Sequence, residues 1–176
     1  MEKIDVSKQM SYWLRHEPED LEMDCQGFVA VEELVEKLRE RFPDIDRGFV
    51  EDLASEGKRY EVEEGKIRAV YGHTVDLDLD LPEDKKVKEL FYGTTSKTAY
   101  SILMKGLEPK ERNMVHLSAT EDNARKVGMR RTEDPTVLKV DVEGAREDGI
   151  RFFKATENIY LSREIPKEHI EKCDDL

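Results

Sequence analysis

The sequence predicts an α+β protein organised as two lobes, and three observations lead there. Between residues 5 and 54 apolar residues recur at spacings of three and four, in three short helical segments. From residue 59 the period changes to two. Beyond a polar stretch at residues 82–88, short strand-like and helix-like segments alternate to the end. A length of 176 residues suits one domain or two small lobes. The boundary is placed at the polar stretch, giving lobes 1–81 and 82–176.

Asp5 is positioned to cap a first helix that carries Met10, Trp13 and Leu14 on one face. It ends near Arg15-His16-Glu17, because Pro18 disfavours helix in the residue before it. A loop with Gly27 follows. Val31 to Arg41 reads as a second helix with Leu34, Val35 and Leu38 inward, stopped by Phe42-Pro43. Asp46 to Ala54 reads as a third, closed by Gly57. Residues 59–62 and 66–70 flank Glu63-Glu64-Gly65 as a β-hairpin. Three helices and a hairpin, in that order, make a winged helix, a common nucleic-acid-binding module. Residues 75–81, VDLDLDL, alternate strictly and predict one further strand face; residues 82–88 read as a linker. In the second lobe, strands are expected at 90–94, 115–118, 137–142, 151–154 and 159–161. One helix begins at Thr95-Ser96, runs through Met104 and stops at Gly106. A second is capped by Thr120 and runs to about Arg131.

Composition excludes several classes. Hydrophobic residues at 38% suffice for packed cores, so disorder is rejected despite 40% charged residues. A net charge of −12 argues against coating nucleic acid by bulk electrostatics and leaves room only for a focused basic site. Cys25 and Cys173 have no partner at metal spacing, so neither a disulfide framework nor a zinc site is expected. The N-terminus lacks an apolar signal core and no apolar run reaches about 20 residues. A cytoplasmic, metal-free protein is expected, with a monomer as the default state.

Four stretches carry a resemblance. They are Ser7-Lys8 through Leu14-Arg15-His16 with Asp24 and Gly27-Phe28-Val29; Ile67-Arg68-Ala69 with Gly72-His73-Thr74; Leu90 through Thr95 with Ile102-Leu103, Gly106-Leu107 and Val115-His116-Leu117-Ser118; and Ala124 with Val127 through Arg131. In this order the set resembles the RNA 2′-phosphotransferases of tRNA splicing and their archaeal and bacterial relatives. The resemblance implies a winged-helix RNA lobe and an ADP-ribosyltransferase-like lobe that holds NAD⁺. It implies transfer of an internal RNA 2′-phosphate to ADP-ribose through an RNA-2′-phospho-ADP-ribose intermediate. The products would be 2′-hydroxyl RNA, nicotinamide and ADP-ribose 1″,2″-cyclic phosphate.

Such chemistry needs guanidinium groups to neutralise a phosphate dianion and a histidine to move a proton. The resemblance assigns Arg15, His16, Arg68 and Arg130 to these tasks. It assigns Tyr92, Gly93, Thr94, Thr95, His116, Leu117 and Ser118 to NAD⁺. Each residue also has a plain explanation. Arg15-His16 and Arg130 are basic residues at helix ends, where they suit the dipole. Arg68 fits a solvated strand surface, or packing against Tyr60 across the hairpin. Gly93-Thr94 is a common turn pair, residues 115–118 suit a strand with one polar face, and His73 suits a structural role at the lobe junction. The absence of a GxGxxG segment argues against a Rossmann-type NAD⁺ site.

The sequence departs from the family pattern at three places. Tyr92 replaces a histidine before the Gly-Thr pair, Val70-Tyr71 replaces Asn-Gln, and Thr132 replaces a glycine after the paired arginines. Two rival functions compete with this one. An ADP-ribosyltransferase that caps nucleic-acid phosphates would stop after the first step. A non-catalytic winged-helix regulator would need a basic recognition helix, whereas residues 46–54 carry Asp46, Glu51 and Asp52 against Arg47.

Overall fold

The computed structural model describes residues 2–173. The chain forms two compact units, Met1–Asp80 and Leu81–Leu176, of mixed α/β structure with antiparallel sheets.

The first unit opens with helix α1 (Lys3–Arg15), which buries Val6, Met10, Trp13 and Leu14 along one stripe. The helix begins before the cap expected at Asp5. Glu2 occupies the N-cap position without a side-chain bond, and Asp5 lies in the first turn, where its charge favours the helix dipole. Strand β1 (Val29–Ala30) leads into α2 (Val31–Arg39), whose Leu34, Val35 and Leu38 fill the core. Helix α3 (Arg47–Ser55) is capped by the Asp46 carboxylate, which accepts from the Phe49 amide at 2.8 Å. Strands β2 (Tyr60–Glu63) and β3 (Lys66–Ala69) form the hairpin, and β1 adds to β3, giving the order β1-β3-β2.

The hairpin turn is tighter than the sequence suggested. Glu63 pairs with Lys66, so only Glu64 and Gly65 remain in the loop, both at positive φ (49° and 77°). The register then sets Tyr60 opposite Ala69 and Glu61 opposite Arg68. Arg68 therefore faces a carboxylate and not the expected Tyr60. Tyr60, with Ile67 and Ala69, belongs to the core, and its hydroxyl donates to the Ser7 carbonyl at 3.0 Å and lies 2.7 Å from Ser11 Oγ. These bonds fix the hairpin against α1. Residues 75–81 do not form the expected strand. The Val75 amide donates to the Arg15 carbonyl and the Asp78 amide to the Cys25 carbonyl, so two backbone groups are satisfied without a ladder. The alternation survives only as exposed aspartates between half-buried apolar residues.

The second unit is a six-stranded sheet of order β7-β8-β5-β4-β6-β9. Its strands are β4 (Glu89–Thr94), β5 (Val115–Ser118), β6 (Thr136–Asp141), β7 (Phe153–Lys154), β8 (Ile159–Ser162) and β9 (Ile170–Lys172). Its helices are α4 (Ser96–Lys105), α5 (Glu121–Gly128) and α6 (Val142–Glu147), with a 3₁₀ turn at Lys167–His169. The core on one sheet face takes Leu90, Leu117, Leu138 and Val140 from the strands, and Ala99, Ile102, Val142 and Ala145 from α4 and α6. Helix α5 packs on the other face, against the backbone of β4 at Gly93. It ends at Gly128, short of the expected Arg131, and Met129 to Arg131 continue as turns that bond back to α5 carbonyls. The strand expected at 151–154 shrinks to Phe153–Lys154.

Residues 82–88 are not a loose linker. The Asp84 carboxylate accepts from the amides of Lys86 and Val87 and from the Tyr160 hydroxyl, and Arg146 donates to the carbonyls of Asp84 and Val87. The Val87 and Lys86 amides, helped by the Tyr160 hydroxyl, hold the Asp84 carboxyl below its usual range. The segment's polar residues bind this unit's own backbone, which hydropathy alone does not reveal.

Candidate active site

In the first unit, four of the residues singled out from sequence come together. Arg15 closes α1, and its carbonyl accepts the amides of Thr74 and Val75, so the chain after the hairpin returns to the helix end. Gly72, at φ 88°, permits this return. A Cβ there would lie 3.3 Å from both Cδ and Nε of Arg15. The Arg15 guanidinium lies over the Tyr71 ring, 4.9 Å from its centroid. Tyr71, one of the departures from the family pattern, therefore supports an assigned arginine. His16, exposed, shares a hydrogen bond between Nδ1 and Thr74 Oγ1 at 3.0 Å.

Arg68, only 5% exposed, lies over the Phe28 ring at 4.5 Å and donates to the Gln26 carbonyl at 3.2 Å. Its Nε and Nη2 both reach Glu61 Oε2 at 2.8 Å. His73 is buried next to them. A Cβ at Gly27 would fall 3.8 Å from His73 Nε2 and 4.0 Å from Arg68 Cβ, so one loop touches both.

Four buried nitrogens in this cluster lack a hydrogen-bond partner: Nε and Nη2 of Arg15, and both ring nitrogens of His73. Buried donors are normally satisfied, and each orphan costs about 1–3 kcal/mol. Two orphaned donors on a cation are the arrangement expected of a site built for an anion. Burial, followed by the charges of Arg15, Arg68 and His16, holds the His73 pKa down at about 4, from 6.5; the Ala69 carbonyl opposes this without reaching hydrogen-bond geometry.

A pH prediction follows from His73. The unfolded chain protonates this residue near pH 6.5 and the folded chain only near pH 4. Between these values the unfolded state binds more protons, so stability falls as pH falls, by about 3 kcal/mol once pH reaches 4. Urea unfolding of wild type and His73→Asn between pH 7 and 4 checks this. The variant is expected to lose that part of the slope, and parallel profiles would show that His73 is not held neutral.

In the second unit, the register divides the residues assigned to NAD⁺ between two sheet faces. Alternation along β4 and β5, with Phe91 opposite Ser118, sets Tyr92 and Thr94 on the core face with Leu117. Gly93, His116 and Ser118 share the α5 face. Leu117 is 2% exposed and belongs to the core, and Thr95 caps α4 by accepting from the Thr98 amide. Thr94 is 1% exposed and its hydroxyl lacks a partner. His116 Nδ1 pairs with the Met114 carbonyl at 3.0 Å. Gly93 has a packing reason of its own, because a Cβ there would lie 1.7 Å from the Ala124 carbonyl oxygen. Arg130 is exposed, two residues beyond α5.

Sequence reasoning missed Glu61 and Thr74 as members of the first unit's cluster. Counting back from a two-residue turn at Glu64-Gly65 finds Glu61; the longer turn read from sequence hid it. Among the described residues no group of three or more His, Cys, Asp or Glu could hold a metal, and no helix is long and apolar enough to cross a membrane. Cys25 and Cys173 are free thiols.

Comparison with known proteins gives this geometry a context. A family model described as "RNA 2'-phosphotransferase, Tpt1 / KptA family" matches residues 1–164. A "Probable RNA 2'-phosphotransferase" of Pyrococcus abyssi is 37% identical over 172 residues, covering 96% of this chain and 94% of the relative. "Probable RNA 2'-phosphotransferase 1" of Archaeoglobus fulgidus is 39% identical, covering 97% and 82%. A bacterial relative with the same description, from Bacillus thuringiensis, is 38% identical, covering 94% and 93%. Sequence similarity thus runs through both units and across archaea and bacteria, and the chain belongs to the RNA 2′-phosphotransferase, Tpt1 / KptA family.

Proposed function

We propose that this chain moves an internal RNA 2′-phosphate onto the ADP-ribose of NAD⁺, by way of an RNA-2′-phospho-ADP-ribose intermediate. It releases 2′-hydroxyl RNA, nicotinamide and ADP-ribose 1″,2″-cyclic phosphate. The observation that carries this reading is the pair of buried, unpartnered donors on Arg15 beside Arg68 and His16, in a chain of net charge −12. A focused anion site on an acidic body suits one special phosphate on an RNA better than binding along the backbone. The relatives' description as RNA 2′-phosphotransferases supplies the phosphate's origin.

In this reading the first unit is a winged-helix RNA lobe and the second an ADP-ribosyltransferase-like NAD⁺ lobe. Arg15 and Arg68 neutralise the 2′-phosphate, and Arg130 is assigned to the same group as charge redistributes. His16, oriented by Thr74, moves the proton when the ribose hydroxyl attacks phosphorus and the RNA 2′-oxygen leaves. NAD⁺ supplies an activated ribosyl carbon whose bond to nicotinamide breaks readily. The second unit offers polar groups of the kind such a ligand needs on both sheet faces: the orphan hydroxyl of Thr94 with Tyr92 on one face of β4, and His116 and Ser118 of the adjacent β5 on the other. The RNA is taken to be tRNA-like.

Incubating the protein with a short RNA bearing one internal 2′-phosphate, with and without NAD⁺, and weighing all products tests the reading. Phosphate loss only with NAD⁺, with ADP-ribose cyclic phosphate released, is expected. ADP-ribose left on the RNA at completion would mean a one-step capping enzyme, and an unchanged RNA would overturn the assignment.

A further inference from the structure

Arg15 and Arg68 present different faces to an incoming anion. Arg15 has two buried donors without partners, whereas Arg68 already holds a carboxylate. Glu61 stands opposite Arg68 in the β2-β3 register, and one of its oxygens receives both Nε and Nη2 at 2.8 Å. The pair is asymmetric. The Arg68 side chain is 6% exposed and pinned between the Phe28 ring and the Gln26 carbonyl, while the Glu61 side chain is 42% exposed. The arginine is fixed and the carboxylate can swing into solvent.

Building on the reading above, in which Arg68 takes the 2′-phosphate, we infer that Glu61 is a specificity-determining residue. Its carboxylate occupies Arg68 until a phosphate monoester displaces it, and so keeps the diesters of the RNA backbone out. Charge decides the exchange. A diester and a carboxylate each carry one negative charge, but the carboxylate is tethered beside its arginine at an effective concentration of order millimolar or more. Replacing it with a diester gains no charge and loses the tether. A monoester carries about −1.5 to −2 at pH 7 and three acceptor oxygens, enough to outcompete the carboxylate on a guanidinium fork. RNA offers many diesters for each 2′-phosphate, so an arginine without such a competitor would be titrated by the backbone.

The test measures binding without NAD⁺ of two short RNAs, identical except for one internal 2′-phosphate. Glu61→Gln keeps a carbonyl acceptor for Arg68 and removes the charge. It is expected to bind the unmodified RNA about tenfold tighter, with a smaller gain for the 2′-phosphorylated RNA, so the discrimination ratio shrinks severalfold. Glu63→Gln, an exposed carboxylate on the same strand, controls for a general loss of negative charge and is expected to leave the ratio unchanged. Arg68→Gln, with its melting curve confirming the fold, distinguishes phosphate binding at Arg68 from the role of Glu61. If Arg68→Gln weakens binding of the 2′-phosphorylated RNA but Glu61→Gln leaves the ratio unchanged, Glu61 is a structural clamp and this inference falls alone. If Arg68→Gln leaves that binding unchanged, the placement of the phosphate on Arg68 falls, and Glu61's role falls with it.

Discussion

Replacing Arg15 by alanine is expected to lower kcat/KM for 2′-phosphorylated RNA by about 10²–10³-fold, the scale for removing one preorganised donor from an anionic transition state. The same substitution is expected to leave thermal stability unchanged or slightly raised. A structural arginine behaves in the opposite way, because its loss strands partners and empties packing. Arg15 has a favourable placement over Tyr71, worth about 0.5–1 kcal/mol. Against this stand two buried N–H groups with no acceptor, each costing about 1–3 kcal/mol. The second contribution exceeds the first, so truncation relieves strain held for function. Arg15→Lys retains the charge but not the two-pronged donor geometry, and is expected to recover only part of the loss. Steady-state kinetics and a melting curve on the same preparations check both halves. A clear fall in melting temperature with turnover preserved would make Arg15 a structural residue and remove the anion site.

Much of the fold was legible because local chemistry dictated it. Asp46, Thr95 and Thr120 each cap the helix that follows with a side-chain oxygen, and Gly106 ends α4 at φ 92°. The helical stripe Met10, Trp13, Leu14 and the period change at residue 59 are likewise properties of short windows. What failed depended on distant partners. Residues 75–81 have a strand's alternation, but the amides of Val75 and Asp78 go to the carbonyls of Arg15 and Cys25, distant partners that a short window does not show, and no ladder forms. Helix α6 and strand β9 escaped notice because six and three residues carry little periodicity; packing on the unit's core, and pairing with β6, create them. In the site, the basic residues of the first unit were readable as types in order, but the Glu61–Arg68 pair was not. A misjudged turn length displaced the cross-strand partner by one residue and exchanged a carboxylate for a tyrosine. The residues assigned to NAD⁺ were read as one set, although strand alternation sends neighbours in sequence to opposite faces.

Gly93→Ala is expected to destabilise the second unit severely, by about 3 kcal/mol or more, because the added methyl group meets backbone and not a flexible side chain. An ideal Cβ at Gly93 lies 1.7 Å from the Ala124 carbonyl oxygen and 2.5 Å from its carbon. Gly128 on the same helix is constrained in turn, since its Cβ would sit 2.6 Å from Pro135 Cβ and 3.1 Å from the Gly93 carbonyl carbon. The two glycines bring α5 onto β4 at a distance no other residue allows, so neither can be enlarged without lifting the helix. At roughly 4–8 °C per kcal/mol for a unit of this size, the melting transition should fall by 10 °C or more. Gly57→Ala is the matched control: nothing lies within 4 Å of its Cβ position, and it is expected to be neutral. The comparison also separates two reasons for a glycine before Thr94. A glycine present only to admit a ligand would tolerate alanine in the unliganded fold and lose NAD⁺ binding alone. If Gly93→Ala melts like wild type, the packing explanation is wrong and close approach of a ligand becomes the reason for the residue. If it melts early, loss of activity in that variant says nothing about ligand contact, because Arg130 hangs from the end of the helix that has moved.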